Sequence, residues 1–388
     1  MTYLRLLSFV SPLGLMIASC SQAAPGENSP AMASDEPFRT EVVAQFDEPW
    51  AMDFDDATGT MFITEKKGTI RFRRPDGTIG QVSGAPKVDY GGQGGLGDIV
   101  FGPTPGSLAE GRTVYLSWAE AGNGDTRGAA VGRANLVCKT GDACALEDLK
   151  VIWRQQPKVT GRGHYSHRIA FSPDGQYLFI ASGERQKMQP AQDTSNTLGT
   201  IVRLDLDGNP AQGNPMAGKP SPTDQIWSYG HRNILGLAFD ETGRLWDLEH
   251  GPRGGDELNL VEPGKNYGWP LVSNGVHYDG EPIADHSTRP DLAAPAISWD
   301  PVIAPGDFIF YSGDDFAEWR GEAVIAAMKP AGIVRVAIDG TSAREVARYP
   351  TEHRIREIEQ GPDGAIWLLE DGKESGASRL LKLVPNRP

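Results

Sequence analysis

Six times along the 388-residue chain the same local text returns: an apolar run with strand character, a turn holding Gly or Pro-Asp-Gly, and a second run of large apolar residues. The occurrences are 51–63 (AMDFDDATGTMFI), 99–116, 168–180 (RIAFSPDGQYLFI), 235–248, 308–326 and 358–369 (IEQGPDGAIWLL), spaced by roughly 50 to 75 residues. Further strand candidates lie between them at 68–74, 199–205 and 333–338, and long helical periodicity is absent. Three or four short strands per unit, repeated six times, predict an all-β chain folded as a six-bladed β-propeller. A β-sandwich or an irregular β-helix are the alternatives. In a propeller the sheets pack around a central channel, and ligands dock where loops converge at one mouth. The extra length at 183–198, 206–225 and 270–300 is polar and rich in Gly, Pro, Asp and Ser, so binding groups are expected there.

The ends and the charge narrow the setting. Residues 1–19 combine Arg5, a short apolar run from Leu6 to Ile17 and small residues, the pattern of an export signal too short to be a retained span. Ile17-Ala18-Ser19-Cys20 resembles a bacterial lipobox, with Cys20 lipidated, which implies a periplasmic, membrane-anchored protein. The alternative is a plain secretory signal cut near Ala23 or Ala24. Residues 20–37 read as a disordered tether and 38–388 as the propeller domain. A formal net charge of −14 with no basic run excludes nucleic acid and anionic lipid as partners. In an exported chain, Cys138 and Cys144 are expected to close a hairpin-tip disulfide. Monomer and homodimer both stay open.

Functional residue types are densest in 226–270, IWSYGHRNILGLAFDETGRLWDLEHGPRGGDELNLVEPGKNYGWP. Two apolar runs flank the turn Asp240-Glu241-Thr242-Gly243 as a hairpin, and the aperiodic segment after Leu248 reads as a shaped loop. Gly251-Pro252 frees φ at one residue and fixes it at the next, which suits backbone carbonyls aimed at a hard cation.

Tyr229-Gly-His-Arg-Asn233, Glu249-His-Gly-Pro252, Asp256-Glu-Leu-Asn259 and Asn266-Tyr-Gly-Trp-Pro270, in this order, closely resemble the soluble aldose sugar dehydrogenases of the glucose/sorbosone dehydrogenase family. That family uses pyrroloquinoline quinone (PQQ) and calcium on a six-bladed propeller. The resemblance extends over most of 40–385. It implies oxidation of aldose sugars at C1 to the lactone, with electrons passed to an unidentified soluble or membrane acceptor.

Carried over residue by residue, the resemblance makes His164 the catalytic base, and histidine titrates where it can take a hydroxyl proton as hydride leaves the same carbon. Arg232 and Asn233 contact the cofactor, Arg232 polarising the quinone carbonyl. Gln93, presented by the glycine-rich turn 91–97, is a further contact; the Walker spacing and the following helix of a phosphate loop are both missing. Lys329, Arg354 and Arg356 supply positive charge for the three carboxylates of PQQ, the two arginines pointing the same way on an extended segment. Tyr278 packs on the planar ring. Calcium is held by the carbonyls of Gly251 and Pro252, and a second calcium by Glu257 and Tyr267. Taken without the resemblance, an Arg-x-Arg is a solvated face and a lone histidine a structural one.

Three places depart from the family pattern. His167 stands where relatives show Gly, Gly183-Glu-Arg-Gln186 replaces Gly-Asp-x-Gly, and Ala304-Pro-Gly-Asp307 replaces Ala-Pro-Ser-Gly. Rival readings are a calcium-dependent propeller lactonase and a non-catalytic propeller that binds a carbohydrate or partner. Neither needs a site for a polyanion.

Overall fold

The computed structural model describes residues 36–139, 143–372 and 378–386, so the export signal, Cys20 and most of the expected tether lie outside the described residues. Regular structure within them is strand, apart from four short 3-10 turns. Each of the six repeats is an antiparallel strand pair. These are Pro49–Asp55 with Thr60–Glu65, Leu96–Phe101 with Arg112–Ala121, and Ser166–Phe171 with Tyr177–Ser182. Then come Ile234–Phe239 with Leu245–Glu249, Pro305–Phe310 with Ala323–Met328, and Ile355–Gln360 with Ile366–Glu370.

Further strands extend every pair outward. The last four pairs become four-stranded sheets, while the first two share one eight-stranded sheet, joined where Ile79–Ser83 runs parallel to Ala143–Arg154. The first strands of the pairs neighbour one another in chain order, and Ile355–Gln360 returns to Pro49–Asp55. This ring is the centre of a β-propeller. Closure is by strand pairing: Phe38–Phe46 is the outer strand on Ser378–Pro385, far from it in sequence.

The core lies between successive sheets. Tyr115, Val131 and Trp153 pack on Ile180 and Val202, and Trp246 and Leu258 on Phe308 and Val334. At the closing seam Phe46 and Met61 meet Trp367, Leu369 and Leu380. A sheet covered on both faces has no polar side, which is why Ala323–Met328 is buried at every position and reads as a continuous apolar run. At roughly 1.5–3 kcal/mol per fully buried large side chain, these seams hold the ring shut.

Around the channel the inner strands are latched by carboxylates. Asp53 accepts the Phe101 N–H (2.7 Å), Asp98 that of Ile169 (2.8 Å) and Glu357 that of Met52 (3.2 Å), each between neighbouring inner strands. Arg168 crosses the channel between them. It donates to the carbonyls of Leu235 (2.6 Å) and Gly306 (3.1 Å) and pairs with Glu357 (2.6 Å), Asp307 (3.3 Å) and Asp98 (3.4 Å).

Cys138 and Cys144 form the expected disulfide, and Cys144 packs in the same apolar cluster as Val82, its partner in the parallel join. The closed loop is short, so Cys138→Ser with Cys144→Ser should cost only about 2 kcal/mol, read by urea unfolding under oxidising conditions. An unchanged midpoint would show that the strand pairing alone closes this edge.

Candidate active site

Every inner strand begins at the same mouth, so residues just before it meet there although they are far apart in sequence. Glu48, Gln93, Gly163, Asn233 and Arg354 precede five of the six inner strands, and all of them line a cavity of about 490 Å³. Arg356, Trp50, His250 and Met328 complete much of its wall. The same strands end in a second, acidic funnel lined by Asp53, Asp98, Asp307, Glu357 and Glu359.

His164 sits beside that cavity, 6 % exposed. Its N–H donates to Gln93 Oε1 (2.6 Å), and its Nδ1 hydrogen-bonds Glu184 Oε1. The other Glu184 oxygen accepts the Met188 N–H (2.6 Å), and the Glu184 N–H donates to the Arg232 carbonyl (3.0 Å). Burial works against the Glu184 charge, yet the bond to His164 keeps it below the ordinary carboxylate range. An ionised carboxylate only accepts, so Nδ1 carries the proton and Nε2 is left as the base. Burial lowers the His164 pKa below its ordinary 6.5, with Glu184 pulling the other way, so the imidazole is neutral at pH 7.

Arg232 is fixed from several sides. It donates to the His250 carbonyl (3.0 Å) and to the Tyr278 hydroxyl (3.2 Å), and its guanidinium lies over the Trp269 ring at 5.1 Å. Glu249 accepts the backbone N–H groups of Arg232 (2.6 Å) and Asn233 (3.3 Å). His250 donates Nε2–H to the Pro305 carbonyl (2.6 Å), and burial pushes its pKa down to about 3, so it stays neutral. Arg354 and Arg356 both pair with Asp371 (2.8 and 3.2 Å). Burial opposes the Asp371 charge, but the two arginines hold it below its ordinary range. Arg232 Nε, Arg356 Nε and Asn233 Oδ1 are buried with no protein partner. Such groups are expensive unless a ligand satisfies them. Tyr278 is 71 % exposed and reaches the site only through Arg232. Lys329 is exposed, directly after the cavity-lining Met328.

The Gly251-Pro252 turn is held by Asp256, which accepts the N–H groups of Gly251, Ile303 and Ala304 (2.7–2.8 Å) while burial pushes its pKa up to about 6. A Cβ at Gly251 would lie 2.2 Å from the Gly255 carbonyl oxygen, so only glycine fits. Gly251, Glu257, Tyr267 and Glu249 surround a cavity of about 10 Å³, the size of one small occupant. Their oxygens suit a hard cation. Glu257 also accepts from His286 Nε2 (3.2 Å). Among the described residues His231, Asp247 and Glu249 form another potential metal-holding group, but the His231 Nδ1 already meets both carboxylates at 3.2 Å.

The family model for glucose/sorbosone dehydrogenases matches residues 46–382. The chain belongs to this family. Its sequence is 34% identical over 385 residues to the aldose sugar dehydrogenase YliI of Escherichia coli K12, covering 97% of this chain and 98% of that one. The crystal structure of the soluble E. coli aldose sugar dehydrogenase in its apo-form is similar with a TM-score of 0.82 at 34% identity, over 90% of this chain and 100% of that one. The PQQ-bound aldose sugar dehydrogenase of Streptomyces coelicolor gives 0.70 at 25% identity, over 89% and 98%. The glucose/sorbosone dehydrogenases are sugar oxidoreductases, and this member is an enzyme of that class.

Several residues that organise the site of this sugar dehydrogenase escape sequence reasoning. Glu184, in a segment that departs from the family pattern, fixes the His164 tautomer. Glu249 and Asp371 orient the arginines, and only the position of Glu249 at a strand end inside the densest motif hinted at this. His167, another departure, lines the cavity, where it stacks on Trp50 (centroids 5.0 Å, 18°) and bonds Ser117 (2.7 Å). Gly97 makes room for it: a Cβ there would come within 1.9 Å of the His167 ring. Of the three long loops, 183–198 brings Glu184 to the site and 270–300 brings Tyr278. The loop 206–225 leaves the far end of Thr200–Asp205 and packs on the neighbouring sheet, the Leu206 carbonyl accepting from Tyr115 (2.9 Å) and Arg133 (3.3 Å). It supplies no lining residue to the cavity.

Proposed function

We propose that this chain is a six-bladed propeller that uses PQQ and calcium to oxidise aldose sugars at C1 to lactones. The blade count treats the eight-stranded sheet as two units of four joined only at their outer strands. One observation carries the functional reading: buried, unpartnered Arg232 Nε, Arg356 Nε and Asn233 Oδ1 cluster at the mouth where His164 and Glu184 form a proton-accepting pair. Cationic donors left unsatisfied in a cleft fit a flat polyanion. A lactonase or a simple glycan binder has no use for them.

When bound, PQQ supplies a quinone that accepts the hydride leaving the sugar C1. Arg354, Arg356 and Lys329 would hold its carboxylates, Gln93 and Asn233 its polar edge, and Tyr278 its face. Arg232 would offset negative charge on the quinone oxygen, with calcium at the Gly251 and Pro252 carbonyls acting in the same sense, and a second calcium at Glu257 and Tyr267 bracing the loop. His164 Nε2 takes the C1 hydroxyl proton while Glu184 retains Nδ1–H, so the sugar loses one hydride and one proton and gains a carbonyl. The mouth is open to a soluble electron acceptor.

The test is to add PQQ and calcium to the purified full chain and offer glucose and other aldoses. Expected are a bound quinone spectrum and sugar-dependent dye reduction. A chain that takes up no quinone and reduces no dye is not this enzyme.

A further inference from the structure

Two facing segments concentrate strained backbone. Of nine non-glycine residues with positive φ among the described residues, six fall in 164–188: His164, Ser166, His167, Arg185, Gln186 and Met188, with φ between 47° and 63°. L-residues adopt this region only where the surroundings over-determine it.

Arg185 supplies much of that determination. It is 0 % exposed, yet its guanidinium meets backbone carbonyls where a carboxylate would be expected. Nε donates to Gly163 (2.8 Å), one terminal nitrogen to Arg127 (2.7 Å) and the other to Gly161 (2.6 Å). The Tyr165 ring lies 3.7 Å from the guanidinium carbon. The Arg185 backbone N–H donates to the His164 carbonyl (3.2 Å), and the adjoining Gly183 N–H to that of Tyr165 (3.2 Å). Only a planar fork reaches three carbonyls at once, whereas a lysine ammonium is a point charge. A buried cation without a counter-ion is costly, so its retention calls for a geometric reason.

We propose that Arg185 is a positioning residue. By gripping the carbonyls of Gly161 and Gly163 it fixes the left-handed turn at His164 and so delivers Nδ1 to Glu184, which sets the tautomer of the base. This rests on the reading of His164 as proton acceptor. Glu184 touches the imidazole directly, while Arg185 acts one step back, on the backbone that carries it.

The experiment is ¹⁵N NMR of the histidine-labelled full chain without cofactor, His164 being assigned from His164→Gln. The parent should show a single His164 tautomer, protonated at Nδ1. Arg185→Lys should mix the two tautomers and return the titration midpoint toward that of a free imidazole. After reconstitution with PQQ and calcium, the same variant should lose roughly 10- to 100-fold in kcat with little change in KM. A lower Tm with unchanged tautomer and unchanged pH profile would make Arg185 merely structural and overturn the proposal. If the lysine variant fails to fold, Tyr165→Leu removes the ring that holds the guanidinium against the three carbonyls and so loosens the grip without deleting it. It should give the same tautomer mixing to a smaller degree, and none at all again overturns the idea. A parent that binds no quinone would sink the dehydrogenase reading alone, because the NMR arm needs no cofactor.

Discussion

His164→Ala should bind PQQ and calcium as the parent does and yet lose roughly 10²- to 10⁴-fold in kcat, the usual weight of a positioned general base. Binding survives because the unpartnered Arg232, Arg356 and Asn233 atoms make no hydrogen bond to the imidazole. Turnover fails because the neighbouring histidines are committed elsewhere: the His250 Nε2 is spent on the Pro305 carbonyl, and His167, in the cavity wall, is stacked on Trp50 and bonded through Nδ1 to Ser117. The parent's pH profile checks the same assignment. A base must be unprotonated, and burial lowers the His164 pKa below 6.5, so activity should persist below pH 6.5 and fall only as the pH drops through the lowered value. Glu184→Gln, which removes the group raising that pKa, should move the acid limb lower still and reduce kcat. Full activity in His164→Ala, or an acid limb above 6.5, would remove His164 from the chemistry.

What the sequence disclosed follows from where information is local. A sheet buried on both faces must be written as apolar runs broken by tight turns, so all six inner pairs were legible. The residues just before those runs were legible as well, since Gln93, His164, Arg232 and Arg354 all occupy that one place in the repeat. Relations between distant segments were not. Nothing near Ile79–Ser83 announces its parallel partner Ala143–Arg154, because parallel pairing leaves no turn between its strands. The bond from Glu184 to His164 spans a strand pair, and the clamp of Arg185 rests on carbonyls, which any residue can offer. His167 could be understood only with Gly97 opposite it. The length of 206–225 suggested a binding loop, but strand direction decides which end a loop serves, and length does not record it.

Arg168→Leu should be the most damaging single change outside the mouth, costing about 3–5 kcal/mol, because it strands buried carboxylates whose attraction it supplied. Burial raises the pKa values of Asp98, Asp307 and Glu357, and in each case Arg168 is the main opposing influence. Removing it lets all three rise further. A carboxyl whose folded pKa exceeds its unfolded value, near 4, stabilises the fold below that value and loses the contribution as pH rises through the folded one. The variant's deficit should therefore be widest at pH 7–8 and narrow toward pH 5, where the acids are protonated and the latches to Ile169 and Met52 can still form. Two further bonds, to the carbonyls of Leu235 and Gly306, are lost at every pH and set the residual deficit. The exposed pair Arg39–Glu41 is the control: Arg39→Leu should change stability by less than about 1 kcal/mol. Urea unfolding of both variants at pH 5 and pH 8 decides the matter. A pH-independent loss in Arg168→Leu would mean that packing against Trp50, over which the guanidinium lies at 4.2 Å, outweighs its charge.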